Sequence, residues 1–103
     1  MKSSVYYIYI IRCKNNLLYT GITTDITRRF EEHKNNFIKG AKFTRMNKPQ
    51  QLEIAWKTTN RSSASKLEYA IKHLTKLQKE ALITKNETLE SMFGEKFKEI
   101  EYI

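Results

Sequence analysis

Two short segments, Tyr7-Ile8-Tyr9 and Tyr19-Thr20-Gly21, are followed by Arg29 and His33, and later by a single Glu68 among apolar residues. Phenols, a guanidinium, an imidazole and a carboxylate can together move a proton, offset charge growing on a phosphate and hold a cation. Arg29 and His33 stand four residues apart, so on a helix they lie one turn above each other on one face. That face borders Ile26 and Phe30, which brings both side chains out at the edge of a core. Arg28, one position round the helix, faces water. Taken singly, Arg29 is an ordinary surface charge and His33 a satisfied, partly buried histidine. The pairing is what suggests chemistry.

Glu68 follows Ala64 by four residues and precedes Ile71 by three, which sets it on the core-facing side of a helix beside Leu67. Carboxylates are rarely buried without a partner. Its partner is then either a structural lysine or arginine, or a divalent ion held by one carboxylate, waters and a substrate phosphate. In an extended strand Tyr7, Tyr9 and Ile11 share one face, and Tyr6, Ile8 and Ile10 the other. Tyr19 has the parity of Leu17 and Gly21, and Gly21 leaves its face open to a backbone, metal or phosphate. Tyrosines in strands also serve simply as packing.

The elements that must position these groups are legible in the pattern. Val5–Ile11 has the composition of a strand buried on both faces, closed by Arg12. Lys14-Asn15-Asn16 supplies a turn, and Leu17–Ile22 returns as the second strand of a hairpin. Thr24 or Asp25 caps a helix carrying Ile26, Phe30 and Phe37 at helical spacing. From Phe37 to Pro49 periodicity is lost, and Gly40 marks a loop or a broken short helix. Leu52, Ile54 and Trp56 alternate with Glu53, Ala55 and Lys57 as a third strand. Ser62 or Ser63 then caps a helix whose stripe is Ala64, Leu67, Ile71 and Leu74, and Thr75–Glu80 continues as a short helix after a bend. In the tail, Leu89, Met92, Phe93, Phe97 and Ile100 read as a helix interrupted near Gly94. It either packs on the domain or offers an apolar face to a protein partner or a second copy.

A chain of 103 residues has room for one domain and one modest core. It has no apolar run of 18 residues for a membrane span, and its first apolar stretch is too short and Tyr-rich for a signal peptide. One cysteine, Cys13, excludes an internal disulfide and a multi-cysteine metal site, so a cytoplasmic, reduced protein is expected. The net charge of +8 attracts polyanions, most commonly nucleic acid. Lys39, Lys42, Arg45 and Lys48 gather in the least regular stretch, and Arg28 and Lys34 offer a second basic surface on the first helix.

In order and spacing these features resemble the GIY-YIG nuclease superfamily, and more narrowly its small stand-alone bacterial YhbQ-like members, from about Val5 to Ile83. Tyr7-Ile8-Tyr9 stands where the family has Gly-Ile-Tyr, and Tyr19-Thr20-Gly21 where it has Tyr-Ile-Gly. Thr23–His33 is similar to the family's helix, with Arg29 eight residues after the motif glycine and His33 one turn later. Gly40–Arg45 and Arg61–Ala64 are similar to segments of the stand-alone members, and Glu68 matches the family's metal-binding glutamate. Tyr7 and Thr20 depart from the motif's glycine and isoleucine, and no asparagine near the domain's end matches the one some members carry.

The resemblance implies an α/β (α+β) fold: a three-stranded antiparallel sheet flanked by helices in β-β-α-β-α order, over residues 4–83, with a helical extension over 84–103. It implies phosphodiester hydrolysis, DNA being the expected substrate and excision repair or recombination the expected setting, with one divalent ion (Mg²⁺ or Mn²⁺) on Glu68. Tyr9 is then the first choice of general base, with positive charge from Arg29 or Arg12 lowering its pKa from about 10. Arg29 neutralises phosphate charge, and Tyr19 and His33 orient the reacting groups beside Gly21. The tyrosine roles can be exchanged. A module that binds nucleic acid on the same basic face without cutting it, with Glu68 pairing Arg29, is the alternative. A third reading is a recruitment domain docking through the tail. A carboxylate beside bound phosphate favours the enzyme, because it repels the ligand unless a cation lies between them.

Overall fold

Two apolar sets alternate along the first strand, and each faces its own layer of helix. The computed structural model describes residues 4–35 and 42–103. Phe37, Lys39 and Gly40 lie outside the described residues, as do the side chains at positions 43 and 45, and with them the expected roles of Lys39 and Arg45. β1 (Tyr6–Cys13) is central in an antiparallel sheet of order β2-β1-β3-β4. Ile8 and Ile10 face one core with Ile54, Trp56, Ala64, Leu67 and Ile71; Tyr9, Ile11 and Cys13 face a second with Ala55, Tyr19, Ile26 and Phe30.

Asn15 and Asn16 take φ of 63° and 62°, left-handed values that asparagine tolerates, and turn the chain into β2 (Leu18–Thr23). α1 (Ile26–Asn35) starts where the Asp25 carboxylate accepts from the Arg28 backbone N–H at 3.0 Å, the capping role expected of that residue. A short helix, α2 (Lys42–Met46), leads into β3 (Pro49–Thr58). Between Ile10 and Ile11 the register on β3 jumps from Ile54 to Leu52, a bulge at Glu53. α3 (Arg61–Lys72) is capped by Asn60, which accepts from Ser63 N at 3.1 Å, and not by Ser62 or Ser63 as the sequence suggested. α4 (Lys76–Thr84) follows the expected bend, with Thr75 and Gln78 forming a capping box.

The sheet has four strands, not the three expected. After α5 (Leu89–Phe93) and a 3₁₀ turn (Gly94–Phe97), β4 (Glu101–Tyr102) pairs with Lys57 and Trp56 of β3. Two residues carry no readable alternation, so this strand is invisible in the pattern. The chain does break at Gly94, whose φ of 64° favours glycine. Phe97 and Ile100 are buried in the first core, with Leu89, Met92 and Phe93 packed on it, so the tail's apolar residues cover the molecule's own core. Among the described residues no helix is long and apolar enough to cross a membrane.

Candidate active site

β1 and β2 pair so that Tyr9 stands opposite Gly21. A Cβ on Gly21 would lie 2.6 Å from Tyr9 Cζ, closer than real Cβ contacts come, so the phenol crosses the β2 backbone where only glycine leaves room. The space over Gly21 that the sequence left for metal or phosphate is filled by Tyr9.

The phenol is gripped from α1. Its oxygen lies 2.9 Å from His33 Nε2, and His33 Nδ1 lies 2.8 Å from Thr44 Oγ1 on α2. Arg29 also hydrogen-bonds Tyr9 and favours its charged form. One arrangement gives each group a partner: Tyr9 accepts from Arg29 and donates its hydroxyl proton to His33 Nε2, while Nδ1–H donates to Thr44. This requires a neutral imidazole. Burial, aided by the Arg29 charge, lowers the His33 pKa to about 4. The Tyr19 ring stands edge-on to His33 at 5.0 Å between centroids, and 6.4 Å from Tyr9.

The electrostatics of Tyr9 run against the expected role. Burial raises its pKa well above the usual tyrosine value, Tyr19 and Glu68 add to that, and Arg29 opposes without prevailing. The residue is 2% exposed. Tyr19, in contrast, is half-buried, its ring against the edge of the cluster. Arg29 itself is held by Glu32 at 2.9 Å, a partner three residues on that helical spacing could have revealed. Thr44 lies in the Gly40–Arg45 segment that resembles the stand-alone members, but nothing in its type or spacing marked it as the partner of His33.

Glu68 is not core-facing. Ala64, Leu67 and Ile71 are the buried stripe of α3, and Glu68 lies on its flank, 22% exposed, with Lys72 at 3.5 Å. Its negative charge contributes to holding the Tyr9 pKa up. Among the described residues no three His, Cys, Asp or Glu side chains converge. One partly solvated carboxylate beside open surface fits an ion that keeps most of its waters, as Mg²⁺ does, and Glu68 is the residue that would hold it.

Arg12 does not serve Tyr9. It lies on the opposite sheet face, bonded to Glu53 and Glu80 at 2.7 Å each and to Asn16 at 2.8 Å. The Arg12 guanidinium, with Lys76, holds the Glu80 carboxyl down at about 2. This network ties β1, β3 and α4 and has a structural role. Arg28 is exposed as expected and pairs with Glu32 at 3.1 Å; Lys34 lies over the Phe30 ring; Lys42 and Lys48 are exposed.

Residues 5–81 match the family model described as GIY-YIG catalytic domain. The chain is 47% identical to the UPF0213 protein YhbQ of Salmonella arizonae over 89 residues, covering 86% of this chain and 87% of that protein. A UPF0213 protein of Vibrio cholerae is 48% identical over 83 residues, 78% of each chain. The solution NMR structure of the UPF0213 protein BH0048 from Bacillus halodurans is similar with a TM-score of 0.51 and 37% identity, covering 89% of this chain and 92% of that one.

Proposed function

The chain belongs to the GIY-YIG catalytic domain family, and from that membership we propose that it is a metal-dependent nuclease hydrolysing phosphodiester bonds in nucleic acid, DNA before RNA. The observation that carries the proposal is the cluster itself: Tyr9 locked between Arg29 and His33 over Gly21, with Tyr19 and Glu68 at its open rim. A domain that merely bound phosphate would have no use for a neutral, buried imidazole bonded to a phenol. Glu68 meets Lys72 and Arg29 meets Glu32, so the binding-only reading would pair Glu68 with Lys72 and not with Arg29.

The exposures support exchanging the tyrosine roles. Tyr19, at the rim beside Arg29, is the phenol that meets the attacking water and takes its proton as the water oxygen bonds to phosphorus. Arg29 offsets the negative charge that develops on the phosphate as the bond forms. Tyr9 and His33 hold that guanidinium and the Tyr19 ring in place, and Thr44 hydrogen-bonds His33 Nδ1 from α2. A divalent ion on Glu68 supplies positive charge to the leaving oxygen when bound. Lys42 and Lys48, both exposed, and Arg28 and Lys34 on α1 supply positive charge for the phosphates of the strand. Repair or recombination is the setting we propose.

The test is a cleavage assay over single-stranded, duplex, flap and junction DNA, with RNA included, in Mg²⁺, Mn²⁺ and EDTA. The proposal expects cleavage of at least one substrate that EDTA abolishes. Binding without cleavage under every condition would favour the non-catalytic module.

A further inference from the structure

The outer face of α3 carries two aromatic side chains that the catalytic cluster does not use. Tyr69 and His73 are one turn apart, with ring centroids at 4.1 Å and planes 34° apart. His73 Nδ1–H donates to the Tyr69 carbonyl at 2.8 Å, which fixes the imidazole under the phenol ring. One face of Tyr69 rests on His73, and the residue is 66% exposed. Lys66 and Lys72, three residues before and after it, are both exposed. Helical geometry points Tyr69 directly away from the Ala64/Leu67/Ile71 stripe, with Glu68 next to it on the flank.

We infer that the Tyr69–His73 pair is a stacking platform for an unpaired nucleotide beside the scissile phosphate, so that the substrate is nucleic acid with unpaired bases next to the cut. The inference rests on the nuclease reading for its location and deepens it by naming the substrate class. A base has a π face free to stack only when it is out of a duplex, where its neighbours already cover it. The platform is fixed before binding, so little rotamer freedom is lost when a base lands on it. Lys66 and Lys72 are spaced to meet the phosphates on either side. The exposed residues of this helix face around Tyr69 are polar, Ser65, Lys66 and Lys72 among them, which suits a nucleotide better than the continuous apolar surface of a protein partner.

Fluorescence anisotropy in EDTA, which separates binding from cleavage, compares wild type, Tyr69→Ala, His73→Ala and Tyr69→Phe. The probes are a labelled single strand, as DNA and as RNA, and the same DNA strand annealed into a blunt duplex. Tyr69→Ala is expected to weaken single-strand binding by roughly 5- to 100-fold and to lower the single-strand-to-duplex affinity ratio by the same order. His73→Ala gives a smaller fall, and Tyr69→Phe, which keeps the ring, retains the wild-type ratio. An equal loss on both forms, or none, overturns the platform and leaves Tyr69 as a contact for another partner. Wild type that binds neither probe overturns it too. Metal-dependent cleavage by wild type is scored separately, so the nuclease reading stands or falls whichever way the ratio moves.

Discussion

Gly21 and Tyr9 share one space: the phenol of Tyr9 lies where any side chain at position 21 would have to go. The motif glycine is thus the negative imprint of a tyrosine on the neighbouring strand. Its backbone is extended strand within β2, so the requirement is steric and not conformational.

Gly21→Ala should therefore destabilise the domain by about 1–3 kcal/mol, the usual cost of overpacking a fitted core, and should displace Tyr9 from His33 and Arg29. In a Tyr9→Phe background the same substitution should cost less, because the atom nearest the new methyl is gone. Urea unfolding of the two single variants and the double variant measures the difference. Strictly additive losses would mean that the two residues do not compete for this space.

The two tyrosines are separable. Tyr19→Phe should reduce cleavage by about 10²–10⁴-fold with little change in Tm, since the ring and its packing remain. Tyr9→Phe should cost stability as well, on the order of 1 kcal/mol, because His33 Nε2 loses its partner in a buried site. Single-turnover rates alongside melting curves decide between them. A larger rate loss at Tyr9 with unchanged Tm would return the base role to Tyr9.

His33 gives the fold a signature in pH. Its pKa falls from about 6.5 in the unfolded chain to about 4 in the folded one. The unfolded state therefore takes up the proton first as pH drops. The contribution is fully present above pH ~6.5 and is lost as pH falls toward 4, in total about 3 kcal/mol. Urea midpoints between pH 7 and 4 should slope downward in wild type and flatten in His33→Gln. Equal slopes would show that His33 is not buried neutral.

How much of this was open to view in the chain depended on range. Period-two alternation from Tyr6 to Ile11 separated the two cores correctly, because side-chain direction in a strand is fixed by geometry alone. The four-residue step from Arg29 to His33 likewise set both on one helix face at the edge of the core, while their meeting with Tyr9 was implied only by the family resemblance. What failed was anything decided by distant partners. Arg12 carries a charge but no label of its destination, and its partners Glu53 and Glu80 lie 41 and 68 residues away. Glu68 sits one position from Leu67, where helix spacing alone cannot separate a core residue from a flank residue. The space above Gly21 was correctly seen as special, but its occupant comes from strand register.

Nucleic-acid affinity should be largely independent of sequence and should weaken with salt, since phosphate contacts carry charge and no base information. Replacing Lys42 and Arg45 together with alanine should flatten the log–log salt slope by about one to two units, each lost contact accounting for roughly 0.7–0.9. Single-turnover cleavage at saturating substrate should stay near wild type. Titrations at several salt concentrations measure this. An unchanged slope would move the binding surface to the Arg28 and Lys34 side of α1.

Glu68→Gln separates metal-dependent cutting by this domain from binding alone. The side chain is only partly buried and its partner is an exposed lysine, so the variant should fold with a Tm close to wild type. Measured in Mg²⁺ and in Mn²⁺ on the best-cut substrate, it should bind nucleic acid and show no metal-dependent cleavage. Cleavage at the wild-type rate by the folded variant would show that Glu68 does not hold the ion.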